Sequence, residues 1–83
     1  MQLDIPKYNP NDGFRHHWES GFEIQVSGNE TEVSISGNRE GLISLAIQLL
    51  TLAQENVPSG THFHLDQYNS LNDGSTELVI SKI

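Results

Sequence analysis

The residues best suited to chemistry are His62, His64 and Asp66, spaced two apart in Thr61-His62-Phe63-His64-Leu65-Asp66. Alternate side chains of an extended strand leave the same face, so two imidazoles and a carboxylate would share one side. Such ligands suit zinc or iron. One expectation is therefore a metal-binding or enzymatic domain using His62, His64 and Asp66. The other is a wet sheet face of ordinary polar residues, with Phe63 and Leu65 turned to the core. The same histidines could also sense pH, since imidazole titrates near neutrality. His16 and His17 add nothing to the cluster, because adjacent strand residues face opposite sides.

Other catalytic patterns are missing. The chain has no cysteine, so it has no thiol nucleophile, disulfide or thiolate zinc site. It has no Gly-x-Ser-x-Gly elbow and no phosphate loop followed by lysine. Gly37-Asn38-Arg39-Glu40-Gly41 carries two glycines at the wrong spacing, which suit a tight strand-to-helix turn. We expect a protein that is not an enzyme and uses no cofactor. Trp18 is the only tryptophan. It reads either as an anchor at the core or as an interface hot spot, with Asp66, Tyr68 and Asp73 beside it in partner binding.

One long helix must position these residues. Over residues 38–56, a repeat near 100° per residue places Leu42, Leu45, Ala46, Leu49, Leu52 and Ala53 on one face. Ile43, Ile47 and Leu50 widen that face. Ser44, Gln48, Thr51 and Glu55 form a narrow polar stripe. Asn38 is a good N-cap, Glu40 suits the positive end of the helix dipole, and Gly41 would admit a neighbouring backbone. Val57-Pro58-Ser59-Gly60 ends the helix. Two surfaces must then cover it: the sheet, and the amino-terminal residues Tyr8, Phe14 and Trp18 beside Ile43, Ile47 and Leu50.

Strands flank the helix. Phe22, Ile24 and Val26 alternate with Glu23, Gln25 and Ser27, and Val33 and Ile35 alternate with Glu32 and Ser34. Gly28-Asn29-Glu30 joins the two runs as a hairpin loop. Residues 61–66 and 75–83 form a second pair, with Phe63, Leu65, Leu78 and Ile80 inward. Phe14, His16 and Trp18 share a face of a possible short strand. The expected fold is α+β: a two-layer sandwich with a largely antiparallel sheet of four to five strands and one helix, ordered (β)ββαββ. Residues 1–83 make one domain, with 1–13 as an extended arm or edge strand, since Pro6 cannot donate to a ladder.

Eleven acids against four Lys and Arg give a formal net charge of −7. That surface repels nucleic acid and anionic membrane, and would draw a basic protein partner or simply keep the chain soluble. No signal peptide and no apolar run of roughly 18 residues is present, so a cytoplasmic location is expected.

Tyr8-Asn9-Pro10-Asn11-Asp12-Gly13-Phe14, His17-Trp18-Glu19-Ser20-Gly21-Phe22-Glu23-Ile24, the helix entry from Gly37 to Ala46, and Gly60-Thr61-His62-Phe63-His64-Leu65-Asp66 resemble bacterial polymorphic-toxin immunity proteins. The family resembled is immunity protein family thirty-two, small α+β proteins with a characteristic tryptophan, matched here by Trp18. The resemblance implies a cytoplasmic antitoxin that binds a cognate protein toxin, for which a basic surface would suit, as a monomer or weak homodimer. The rivals are the metal-binding or enzymatic domain above and a homo-oligomeric accessory subunit using the surplus apolar arc of the helix.

Overall fold

Strand alternation and helix capping produce the regular elements. The structure is a computed structural model that describes all 83 residues. Ile24–Gly28 is β1 and Val33–Gly37 is β2, paired antiparallel with Val26 opposite Ile35. Arg39–Leu52 is the helix, α1. His62–Leu65 is β3 and Leu78–Ser81 is β4, also antiparallel, with Phe63 opposite Ile80. The α+β class holds. The expected single sheet of four to five strands does not form, and nor does the two-layer sandwich built on it. The structure instead has two separate hairpins.

The reason lies in residues 72–76. This segment runs beside β1 and bonds to it at only a few points. Asn72 N–H donates to the Ile24 carbonyl and Thr76 N–H to the Val26 carbonyl, each at 2.8 Å. The Ser75 hydroxyl accepts from Val26 N–H at 3.1 Å. Turn residues with a side-chain oxygen in the ladder satisfy the edge of β1 without continuing the sheet.

The helix begins as its residues dictate. Asn38 caps it, accepting from Gly41 N–H at 2.7 Å, and Glu40 lies in the first turn. Gly41 meets a backbone: a Cβ there would stand 2.1 Å from the Glu23 carbonyl oxygen. At the other end no basic residue of the helix faces the carboxyl terminus, and the Lys82 ammonium, brought in after β4, donates to the Gln54 carbonyl.

The buried side of the helix is rotated from the expectation: Leu45, Ile47 and Leu52 are inside, but so is most of the polar stripe. Ser44, Gln48 and Thr51 are fully buried, while Leu42, Leu49 and Leu50 are 51%, 43% and 48% exposed. The amino-terminal segment does lie on the helix, but over the polar stripe. Gln48 Oε1 accepts from His17 N–H at 3.2 Å and its Nε2 donates to the His17 carbonyl. Ser44 Oγ accepts from Glu19 N–H at 2.8 Å. Gln54 Oε1 accepts from Tyr8 N–H at 3.1 Å, and its Nε2 donates to the Pro6 carbonyl at 2.9 Å. A glutamine amide carries one acceptor and two donors, so it can pair with a backbone much as a strand would. The spare hydrogen of Gln48 goes to the Ser44 carbonyl, Thr51 donates to the Ile47 carbonyl, and no buried side-chain polar atom is left without a partner.

The core gathers Ile24, Val26, Leu45, Leu52, Val57, Phe63, Leu65 and Leu71, with Tyr8, Phe14, Trp18, Phe22, Leu78 and Ile80 packed against it. Val33 and Ile35, expected inward with them, are 67% and 43% exposed. They share the face of Ile24 and Val26, but only the β1 residues of that face are covered.

Two stability outcomes follow. Helix propensity alone would make Gly41→Ala stabilising by about 1 kcal/mol. The contact with Glu23 reverses the sign, and urea unfolding should show a loss of about 2 kcal/mol or more. Gln48→Leu makes the helix more apolar yet strips both backbone bonds from His17. It should cost about 2–3 kcal/mol and expose residues 1–19 to limited proteolysis. An unchanged midpoint and cleavage pattern would show that the amide does not hold the segment.

Candidate functional site

Trp18 lies where the amino-terminal segment passes the second hairpin. Residues 14–18 form no strand, yet Phe14, His16 and Trp18 do gather on one side as their alternation predicts. The His16 ring stacks parallel to Trp18 at 6.0 Å and meets Phe63 edge-on at 5.6 Å. Trp18 stacks on Phe22 at 4.8 Å. Gln48 fixes this run by holding the His17 backbone, so the tryptophan is anchored by the helix as well as by its own packing.

Opposite Trp18 is the turn after β3. Asp66 N–H donates to Asn69 Oδ1 at 3.0 Å, Tyr68 N–H to Asp66 Oδ1 at 2.9 Å, and Asn69 Nδ2 to the His64 carbonyl at 3.2 Å. Leu71 is buried and pins the turn to the core. Between them is a notch of about 160 Å³ lined by His16, Trp18, His64, Leu65, Asn69 and Ser70. Tyr68 projects from the same turn at 88% exposure, and Asp73 is exposed further along.

The expected metal cluster does not come together. The His62 and His64 rings are T-shaped at 5.3 Å, which satisfies their shared face. But His62 Nδ1 donates to the Gly60 carbonyl at 2.9 Å, and His64 Nδ1 lies 3.2 Å from Glu77. The Asp66 carboxylate turns back to cap Tyr68 N–H. No three His, Asp or Glu side chains are grouped to hold a metal ion. Strand alternation ends with Leu65, and the turn that follows redirects Asp66.

Two residues of the notch had no forewarning in the sequence. Asn69 and Ser70 read as loop polarity, and nothing local places them against a tryptophan some fifty positions earlier. His16 was legible only as a partner of Trp18. Its imidazole is pushed below the ordinary value of 6.5 by partial burial, with the Gln48 side chain opposing to a lesser extent.

Comparison with known proteins adds a family. The sequence profile described as Immunity protein 32 matches residues 32–83, more than half of the chain. The chain belongs to the immunity protein 32 family. The match takes in β2, the helix, β3, β4 and the turn carrying Tyr68. It does not reach Trp18 or the two amino-terminal stretches that also carried the resemblance. No curated protein and no solved structure matches the chain. No helix is long and apolar enough to cross a membrane.

The His16 environment predicts a pH dependence. A histidine whose folded pKa is depressed binds fewer protons than the unfolded chain once pH falls below 6.5. The stability it contributes is present above that value and is lost as pH falls from there through the folded pKa. Urea unfolding within about one unit either side of the ordinary imidazole pKa should show a smaller acid loss for His16→Phe than for the wild type. Equal losses would assign the acid sensitivity to groups other than His16.

Proposed function

We propose that this chain is an immunity protein of a bacterial polymorphic-toxin system, which binds a cognate toxin domain in the cytoplasm and neutralises it without enzymatic activity. Membership of the immunity protein 32 family is the observation that carries the reading. The charge of −7 supports a partner with a basic surface, because opposite fields speed encounter and favour the correct orientation. We assign the contact to Trp18, which lines the notch, and to Asp66, Tyr68 and Asp73 on the loop that follows β3. Tyr68 would add an apolar ring with a polar tip, a common hot-spot type.

Co-expression with a toxin carboxy-terminal domain found encoded beside this chain should restore growth, and the two chains should copurify. Toxicity that persists with no complex formed sinks the reading. Within that complex, Tyr68→Ala should leave unfolding within about 0.5 kcal/mol of the wild type, because the ring is almost wholly exposed. It should weaken toxin binding by about 1–2 kcal/mol in calorimetry. Trp18→Ala is a poorer probe, since Trp18 also packs on the core. Unchanged affinity in Tyr68→Ala would move the contact away from this turn.

A further inference from the structure

The first hairpin has one closed edge and one open edge. The bonds from Asn29 N–H to the Glu32 carbonyl (2.9 Å) and from Asn38 N–H to the Glu23 carbonyl (3.2 Å) set the alternation along the ladder. Ser34 and Ser36 therefore turn their backbone groups toward β1. Val33, Ile35 and Gly37 turn theirs away. On β1 the outward groups are occupied by Asn72, Ser75 and Thr76. On β2 the outward N–H and C=O groups of Val33 and Ile35 have no partner. Along this strand lie the uncovered side chains of Val33 and Ile35, and that of Leu42 stands against Gly37. An open, apolar edge is a template for another strand.

We propose that β2 is a homodimer interface, pairing antiparallel with β2 of a second copy so that Ile35 faces Ile35 on a two-fold axis. This register sets Val33 opposite Gly37, and every residue so paired has outward-pointing backbone groups, as an antiparallel ladder requires. Leu42 already leans over Gly37, its Cδ2 3.3 Å from where a Cβ would stand. The exposed Val33 of the second copy then lands against Gly37 and Leu42. The two Ile35 side chains meet as a cross-strand pair on the same face.

Charge supports the same register. One step beyond Val33, Glu32 falls opposite Asn38 and beside Arg39 of the second copy. Arg39 is the only Lys or Arg between Arg15 and Lys82. Two-fold symmetry makes this pair twice. The like net charge of the copies opposes association. At physiological salt, however, charges further apart than about 8 Å are largely screened, so the pairs at the strand matter most. The two hairpins would form one four-stranded sheet, with both helices on the same side and the Leu42 flanks toward the axis.

Sedimentation equilibrium on the full chain tests this. The wild type should be a dimer with a dissociation constant in the roughly micromolar range. Ile35→Lys should raise that constant by about tenfold or more. Glu32→Arg and Arg39→Glu should each weaken the dimer, and Glu32→Arg combined with Arg39→Glu should recover it. These side chains are exposed, so circular dichroism should show each variant folded. Because the chain has no cysteine, Ile35→Cys gives a direct reading. Hydrogen-bonded antiparallel pairs hold Cα atoms about 5.5 Å apart, within disulfide range, so this variant should oxidise to a covalent dimer. Val79→Cys, of similar exposure on β4, should not. A wild type that stays monomeric up to about millimolar concentration overturns the proposal. So does Ile35→Cys cross-linking no faster than Val79→Cys, and the open edge would then fall to a strand from another protein. The outcome does not depend on toxin binding.

Discussion

The hydrogen bonds between the buried polar side of the helix and the backbone of the amino-terminal segment govern this structure. That segment has no strand partner along its length, yet it must cover the helix to complete a small core. Its N–H and C=O groups would be costly to bury unpaired. Ser44, Gln48 and Gln54 supply the missing partners, with Gln48 and Gln54 each taking one backbone donor and one acceptor. A helix with only leucines on that side would bury more apolar area but orphan the segment.

The rest follows from that choice of face. With the polar stripe turned inward, Leu42, Leu49 and Leu50 are left at the surface, as are Val33 and Ile35 of β2. Holding the His17 backbone also sets Trp18, His16 and Phe14 against Phe63, and so builds one wall of the notch. The bonds that hold the amino-terminal segment therefore also shape the surface proposed for toxin binding. The apolar edge at β2 lies on a different part of the molecule. One copy has two distinct surfaces, a polar aromatic notch and an open strand, so pairing of copies and binding of a toxin need not compete.

Much of the architecture was legible in residue order. The Asn38 cap, the close approach at Gly41, the two hairpins and the grouping of Phe14, His16 and Trp18 all follow from local rules of caps, turns and alternation. The metal constellation shows where such rules stop. Alternation holds for His62 and His64, but a turn begins after Leu65, and Asp66 serves that turn. The helix shows a second kind of failure. Hydrophobic periodicity assumes that the polar stripe faces water, and that assumption breaks when another chain segment brings backbone groups to be satisfied.

The sequence by itself determined the element types, their order, the helix boundaries to within a turn at the amino end, the acidic charge and the resemblance to immunity proteins. These rest on interactions within a few residues, or on sums over the whole chain. Only the tertiary structure decided which side of the helix is inside, that the hairpins stay apart, and that Trp18 faces Asn69 and Ser70. Each of these depends on hydrogen bonds between residues 25 to 50 positions apart, whose partners carry no mark of one another in the sequence.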